Sequence, residues 1–171
     1  MIRLITGGAR SGKSRLAEQL AQASGREVVY IATAQTGDGE MRERVALHQA
    51  RRPAHWQTLE EPLRLVETIR AQQGPKRCLL VDCLTLWVTN LLLDQADMAA
   101  QRTALCQALA EAAGEIILVS NETGMGIVPL GELSRRFVDE AGWLNQAVAA
   151  RADQVVLTVA GLPLTLKGEP L

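Results

Sequence analysis

The chain has 171 residues, a formal net charge of -1 and 22% charged residues. That length suffices for a single domain spanning residues 1–171 with a sizeable core, and the near-neutral balance argues against electrostatically driven binding of nucleic acid or membrane surfaces, which calls for a basic excess. Without a charged-then-apolar leader or an apolar run of membrane-spanning length, and with three cysteines (Cys78, Cys83 and Cys106) in no metal-ligand spacing, the expectation is a cytoplasmic protein with no integral membrane segment.

Periodicity predicts a strand over 2–6, a glycine-rich loop, a helix over 13–22, a strand over 28–32, a polar loop and a helix over 40–51 that Pro53 ends. A short strand near 56–59 and a helix over 63–72 follow, and Gly74-Pro75 breaks the chain before a buried strand at 78–82. Helices are predicted over 84–93 and 98–113, then a strand at 116–120 and a loop over 121–126. The last helix, 132–151, places Leu133, Phe137, Ala141, Leu144 and Val148 on one face, before a strand at 155–159 and an extended end at 164–167. Cys78 and Cys106 fall in apolar runs and read as buried small residues, and Trp56, Trp87 and Trp143 as fillers of core or subunit interfaces.

Directly after the first strand comes Gly7-Gly8-Ala9-Arg10-Ser11-Gly12-Lys13-Ser14, which fits the phosphate-binding spacing G-x-x-x-x-G-K-[ST]. Glycines let backbone N–H groups curl round phosphate oxygens, Lys13 supplies a point charge, Ser14 offers a hydroxyl to Mg²⁺, and the helix N-terminus adds partial positive charge. A strand before and a helix after are the context this motif requires, so the expectation is a nucleoside triphosphate site. Alternating strands and helices with continuous apolar strands predict an α/β fold of the P-loop NTPase type (RecA-like). Its sheet is mostly parallel, with helices on both faces and ligands beyond the carboxyl ends of the strands. Asp82 closes an apolar strand on a carboxylate, the Walker B arrangement in which an acid complements Ser14 as a Mg²⁺ ligand.

His48 is the unusual residue. In the helix over 40–51 it follows Met41 and Val45 at helical spacing and is flanked by Arg44 and Arg51, on the border of an apolar and a basic face. A histidine so placed packs or caps a helix end more often than it reacts. Imidazole can also attack phosphorus, forming a phosphoramidate that splits one transfer into two steps. His55 reads as structural. Glu60-Glu61-Pro62 reads equally well as a solvated helix start and as a carboxylate that accepts from a guanine edge or ribose hydroxyls.

Several separated segments together resemble one family. They are the P-loop, Tyr30-Ile31-Ala32-Thr33-Ala34, Asp38-Gly39-Glu40-Met41 through Arg44 to His48, and Arg52-Pro53 with Trp56 and Glu60. In the C-terminal half they are Val81-Asp82-Cys83-Leu84-Thr85 with Asn90, Ser120-Asn121-Glu122 through Gly124-Met125-Gly126 to Val128-Pro129, Arg136-Phe137 with Asp139, and Asn145-Gln146. The pattern is similar to that of the bifunctional adenosylcobinamide kinase / adenosylcobinamide-phosphate guanylyltransferases.

The resemblance implies that His48 takes GMP from GTP as a covalent intermediate. By the same carry-over, nucleotide contacts come from Gly7, Gly8, Ala9, Arg10, Ser11, Gly12, Lys13 and Ser14, from Ala32, Thr33 and Ala34, from Gln49, Ala50, Arg51 and Arg52, and from Glu60 and Asp82. It implies Mg²⁺ on Ser14 and Asp82, ATP and GTP as substrates together with adenosylcobinamide and its phosphate, and a homotrimer. Asn121, Glu122 and the 124–126 loop are candidates for the corrin, and equally for a structural turn. Two other readings stay open: a kinase for a different small metabolite, and a nucleotide-gated interaction protein.

Overall fold

The computed structural model describes residues 1–35 and 53–171. The predicted helix over 40–51 lies outside these residues. Along the chain run β1 (Ile2–Gly7), α1 (Lys13–Ala23), β2 (Glu27–Ala32), β3 (Gln57–Glu60), α2 (Leu65–Gln72) and β4 (Arg77–Asp82). Then come α3 (Leu84–Leu93), α4 (Met98–Ala110), β5 (Glu115–Asn121), α5 (Glu132–Arg151), β6 (Gln154–Val159) and β7 (Leu162–Lys167). Within the described residues, each element predicted from periodicity is present, α3 and α5 with the predicted bounds and the others with an end shifted by one to three residues. Helix α2 starts later than predicted because the Glu61 carboxylate accepts from the Leu63 and Arg64 amides at 3.1 and 2.8 Å and so caps the turn before it.

The strands form one sheet in the order β3-β2-β4-β5-β1-β6-β7, parallel except for β7, which pairs antiparallel with β6. Alternate residues of each central strand feed two cores. Ile5, Val28, Tyr30, Leu80, Ile117 and Val119 pack under Ala17 and Ala21 of α1. Leu4, Val29, Ile31, Leu79, Val81 and Leu118 pack under α2 to α5 through Leu65, Trp87, Leu105, Leu144 and Val148. This two-sided burial is why the strands read as continuous apolar runs. Trp87 is fully buried and its Nε1–H donates to Leu63 O at 2.9 Å, so truncation there costs about 3–5 kcal/mol.

Two expectations need correction. Cys106 is only partly buried, because its position on α4 faces an outer groove beside Arg151 and Ala147, whereas Cys78 is fully buried as expected. Leu133, expected on the buried face of α5, is exposed, since the first turn of that helix projects beyond the core; Phe137 is partly buried against it, and Ala141, Leu144 and Val148 are buried. Of the tryptophans expected in core or subunit interfaces, Trp56 and Trp87 fill core and Trp143 is half exposed on α5, with the Arg102 guanidinium 5.7 Å from its ring centre.

Candidate active site

β1 ends on Gly7, and the chain turns into α1 through Arg10 (φ 55°) and Gly12 (φ 99°). Positive φ values spaced along a short loop give the curled backbone that gathers N–H groups around an anion. Gly7 itself (φ 151°) has no room for a side chain: a Cβ there would sit 2.7 Å from Ser11 Oγ and closer still to Thr158. Ser11 Oγ and Thr158 Oγ1 lie 2.7 Å apart, and because the threonine donates to Thr6 O at 3.1 Å, the serine is the donor between them. The β6–β7 hairpin closes on the same loop. Its turn residues Ala160 (φ 52°) and Gly161 (φ 81°) both have the positive φ of a tight hairpin, and Gly161 N donates to Ser11 O at 3.0 Å.

Lys13 opens α1 and is buried, with Nζ donating to Gly8 O at 2.6 Å. Burial pushes its ammonium below the ordinary lysine value, while Cys83 and Asp82 pull it part of the way back. Asp82 is the last residue of β4, level with Ala32 on one side and Val119 on the other. The Tyr30 hydroxyl donates to Asp82 Oδ2 at 3.0 Å. Next to it, burial and then the Asp82 charge push the Cys83 thiol up to about 11, so this sulfur is neutral at pH 7 and reads as packing.

The loop after β2 is fixed from two sides. Thr33 Oγ1 donates to Cys83 O at 2.7 Å and accepts from Cys83 N at 2.9 Å. The buried Asn90 side chain donates to Thr33 O at 2.8 Å and to Pro62 O at 2.9 Å, tying the ends of β2 and β3 together. A single carboxyl edge therefore carries the P-loop, a carboxylate and two pinned turns, an arrangement suited to holding a polyphosphate in line for transfer.

The family described as cobinamide kinase / cobinamide phosphate guanyltransferase matches the chain over residues 3–166. The chain belongs to that family. It is 68% identical over 170 residues to the bifunctional adenosylcobalamin biosynthesis protein CobP of Pseudomonas aeruginosa, covering 98% of each chain. It is 42% identical over 182 residues to the protein CobU of Escherichia coli, named as bifunctional in the same way, covering 98% of this chain and 100% of that one. Solved structures of similar shape include the RadB recombinase, at 15% identity and a TM-score of 0.53 over 91% of this chain and 73% of that one. A type III secretion ATPase has the same identity and TM-score over 96% and 56%. At that identity the likeness concerns the fold alone, and the fold is that of the P-loop NTPases.

In this member of the cobinamide kinase / guanyltransferase family, the structure brings many of the sequence-predicted residues to one edge. Gly7 to Ser14 form the loop, Ser14 lies partly buried in the first turn of α1, and Ala32, Glu60 and Asp82 share one row of the sheet, with Thr33 and Ala34 just beyond. Glu60 is exposed at the end of β3, while its neighbour Glu61 is spent on capping. His48, Gln49, Ala50, Arg51 and Arg52 lie outside the described residues. Residue-by-residue reading assigned no role to Thr158, Gly161, Tyr30 or Asn90. A polar Thr158 within the apolar run of β6 was the available signal, since a hydroxyl there needs a partner.

Proposed function

We propose that this chain phosphorylates adenosylcobinamide and then converts the product to adenosylcobinamide-GDP, within adenosylcobalamin biosynthesis. The observation that carries the reading is the family match over nearly the whole chain, together with relatives named as bifunctional adenosylcobalamin biosynthesis proteins. The buried Lys13 beside Asp82 supports it. In the first step the acceptor hydroxyl oxygen bonds the γ-phosphorus of ATP or GTP as the bond to the β–γ bridging oxygen breaks. The hydroxyl proton passes to solvent and the nucleoside diphosphate leaves. In the second, an imidazole nitrogen of His48 bonds the α-phosphorus of GTP and pyrophosphate leaves. An oxygen of the new phosphate ester then takes the GMP and frees the histidine.

Gly7 to Ser14 hold the polyphosphate, with Lys13 neutralising its charge. Ala32 to Ala34, Gln49 to Arg52 and Glu60 position the nucleoside. Ser14 and Asp82 would hold Mg²⁺. Their hydroxyl and carboxylate are the hard oxygen donors this ion takes alongside phosphate and water. Among the described residues there is no group of three or more His, Cys, Asp or Glu that would form an all-protein cage. When bound, the ion supplies charge neutralisation across the phosphates. We read the working form as a homotrimer, which light scattering of the purified protein measures directly.

The test is incubation with Mg²⁺ and GTP labelled at the α-phosphorus, then denaturation and counting of protein-bound label, with His48→Ala alongside. Label stable to alkali, lost in acid and absent from the variant is the expected result. No retained label, with γ-labelled nucleotide still donating to cobinamide, would leave a kinase alone.

A further inference from the structure

β5 lies between β4 and β1, so its carboxyl end rises between Asp82 on one side and the P-loop on the other. The chain leaving it is anchored first. Asn121 N donates to Thr85 Oγ1 at 2.7 Å, Asn145 Nδ2 donates to Asn121 O at 3.3 Å, and Glu122 N donates to Gly7 O at 2.9 Å. It is anchored again at its far end, where Arg135 of α5 donates to the carbonyls of Pro129 and Leu130. Between these ties the segment presents Met125, Ile127, Val128 and Leu130, which are 78, 98, 71 and 98% exposed. Scattered exposed apolar residues are ordinary. Four within six residues, held at both ends beside a phosphate loop, form a surface built for an apolar occupant.

The rest of this edge is polar, with Thr33, Glu60, Asp82 and Thr158 around it. The gap between β1 and β4 is flanked by the P-loop and Asp82, and that gap is where this segment starts. We propose that residues 125–130 bind the body of the acceptor, a macrocycle with broad apolar faces, and so direct its hydroxyl arm between Gly7 and Asp82. This assignment rests on the reaction proposed above. It gives the large, partly apolar acceptor a platform separate from the nucleotide contacts, so nucleotide and acceptor affinities are set by different residues.

The experiment uses the full chain with Ile127→Ser and Leu130→Ser combined, and a conservative pair, Ile127→Leu with Leu130→Ile. Both positions are almost fully exposed, so neither pair removes core packing. Equilibrium dialysis against adenosylcobinamide, read by corrin absorbance, should give a roughly 10- to 100-fold weaker affinity for the serine pair and near wild-type affinity for the conservative pair. If the serine pair binds as tightly as wild type while the wild type forms the GTP-derived label, the platform is wrong and the reaction stands. If the wild type binds no cobinamide, both fall. Loss of affinity accompanied by loss of assembled mass in sedimentation assigns the segment to a subunit contact and overturns the proposal.

Discussion

The Tyr30 hydroxyl and Asp82 Oδ2 stand 3.0 Å apart, joining the chain's one tyrosine to the carboxylate at the end of the neighbouring strand. Tyr30 is level with Leu80, and Asp82 lies two residues further along β4, hence on the same face of the sheet. That face is the one covered by α1. The period-2 alternation therefore aims the carboxylate at the helix that begins with Lys13, and the tyrosine holds one of its two oxygens in place. Tyr30→Phe should cost about 1 kcal/mol of stability and raise several-fold the Mg²⁺ concentration needed for half-maximal rate of the proposed kinase step. A Mg²⁺ titration unchanged by the substitution would show that the tyrosine does not orient Asp82.

Lys13 is held at a cost to stability. Because burial lowers its proton affinity in the folded state, the unfolded chain binds that proton more tightly. Stability therefore rises with pH between the folded and the unfolded lysine values. Lys13→Met should abolish both proposed transfer steps yet raise the thermal midpoint near pH 7 by about 3 °C, and flatten the rise in midpoint on going to alkaline pH. Thermal melts across pH for both proteins check the sign; a midpoint that falls in the variant means the bond to Gly8 O outweighs the burial of the charge.

Thr158 braces the P-loop from the neighbouring strand. Thr158→Val keeps the shape of the side chain but leaves the buried Ser11 hydroxyl without this acceptor, so a loss of about 1–3 kcal/mol is expected. Nucleotide KM should rise while acceptor KM stays close to wild type. Denaturant unfolding and initial rates with each substrate varied in turn measure both.

Asn90 clamps two turns with one amide group, donating to Thr33 O and Pro62 O. Asn90→Ala should lose about 1–3 kcal/mol and weaken nucleotide binding, and Asn90→Gln should recover stability more than affinity, because the longer arm cannot reach both carbonyls at once. Separating the two readouts distinguishes a positioning role from simple core support. Equal recovery of both would point to core support alone.

Much of the architecture was legible in the primary structure because its signals are local. Continuous apolar runs bounded by turns gave β1, β2, β4 and β5. The spacing of Gly7, Gly12, Lys13 and Ser14 placed a phosphate loop at a strand–helix junction, and Asp82 stood at the end of its strand as read. Leu133 was misplaced because helical periodicity reports which side of a helix is apolar and not how far the core extends along it, and Cys106 because an apolar run does not say which of its residues face the outer groove.

By itself, then, the sequence determined the order and kind of the described elements, the glycine-rich loop at the first strand–helix junction, and membership of the family, since each depends on residues near one another in the chain or on a pattern kept along its whole length. Only the tertiary structure decided that Thr158 and Gly161, some 150 residues from the P-loop, hold it in shape. It alone joined Tyr30 to Asp82 and Asn90 to two separate turns, and tied the start of the segment after β5 to Gly7. These relationships depend on the strand order and on the register of parallel neighbours, which are set by packing between distant segments. No local spacing encodes them.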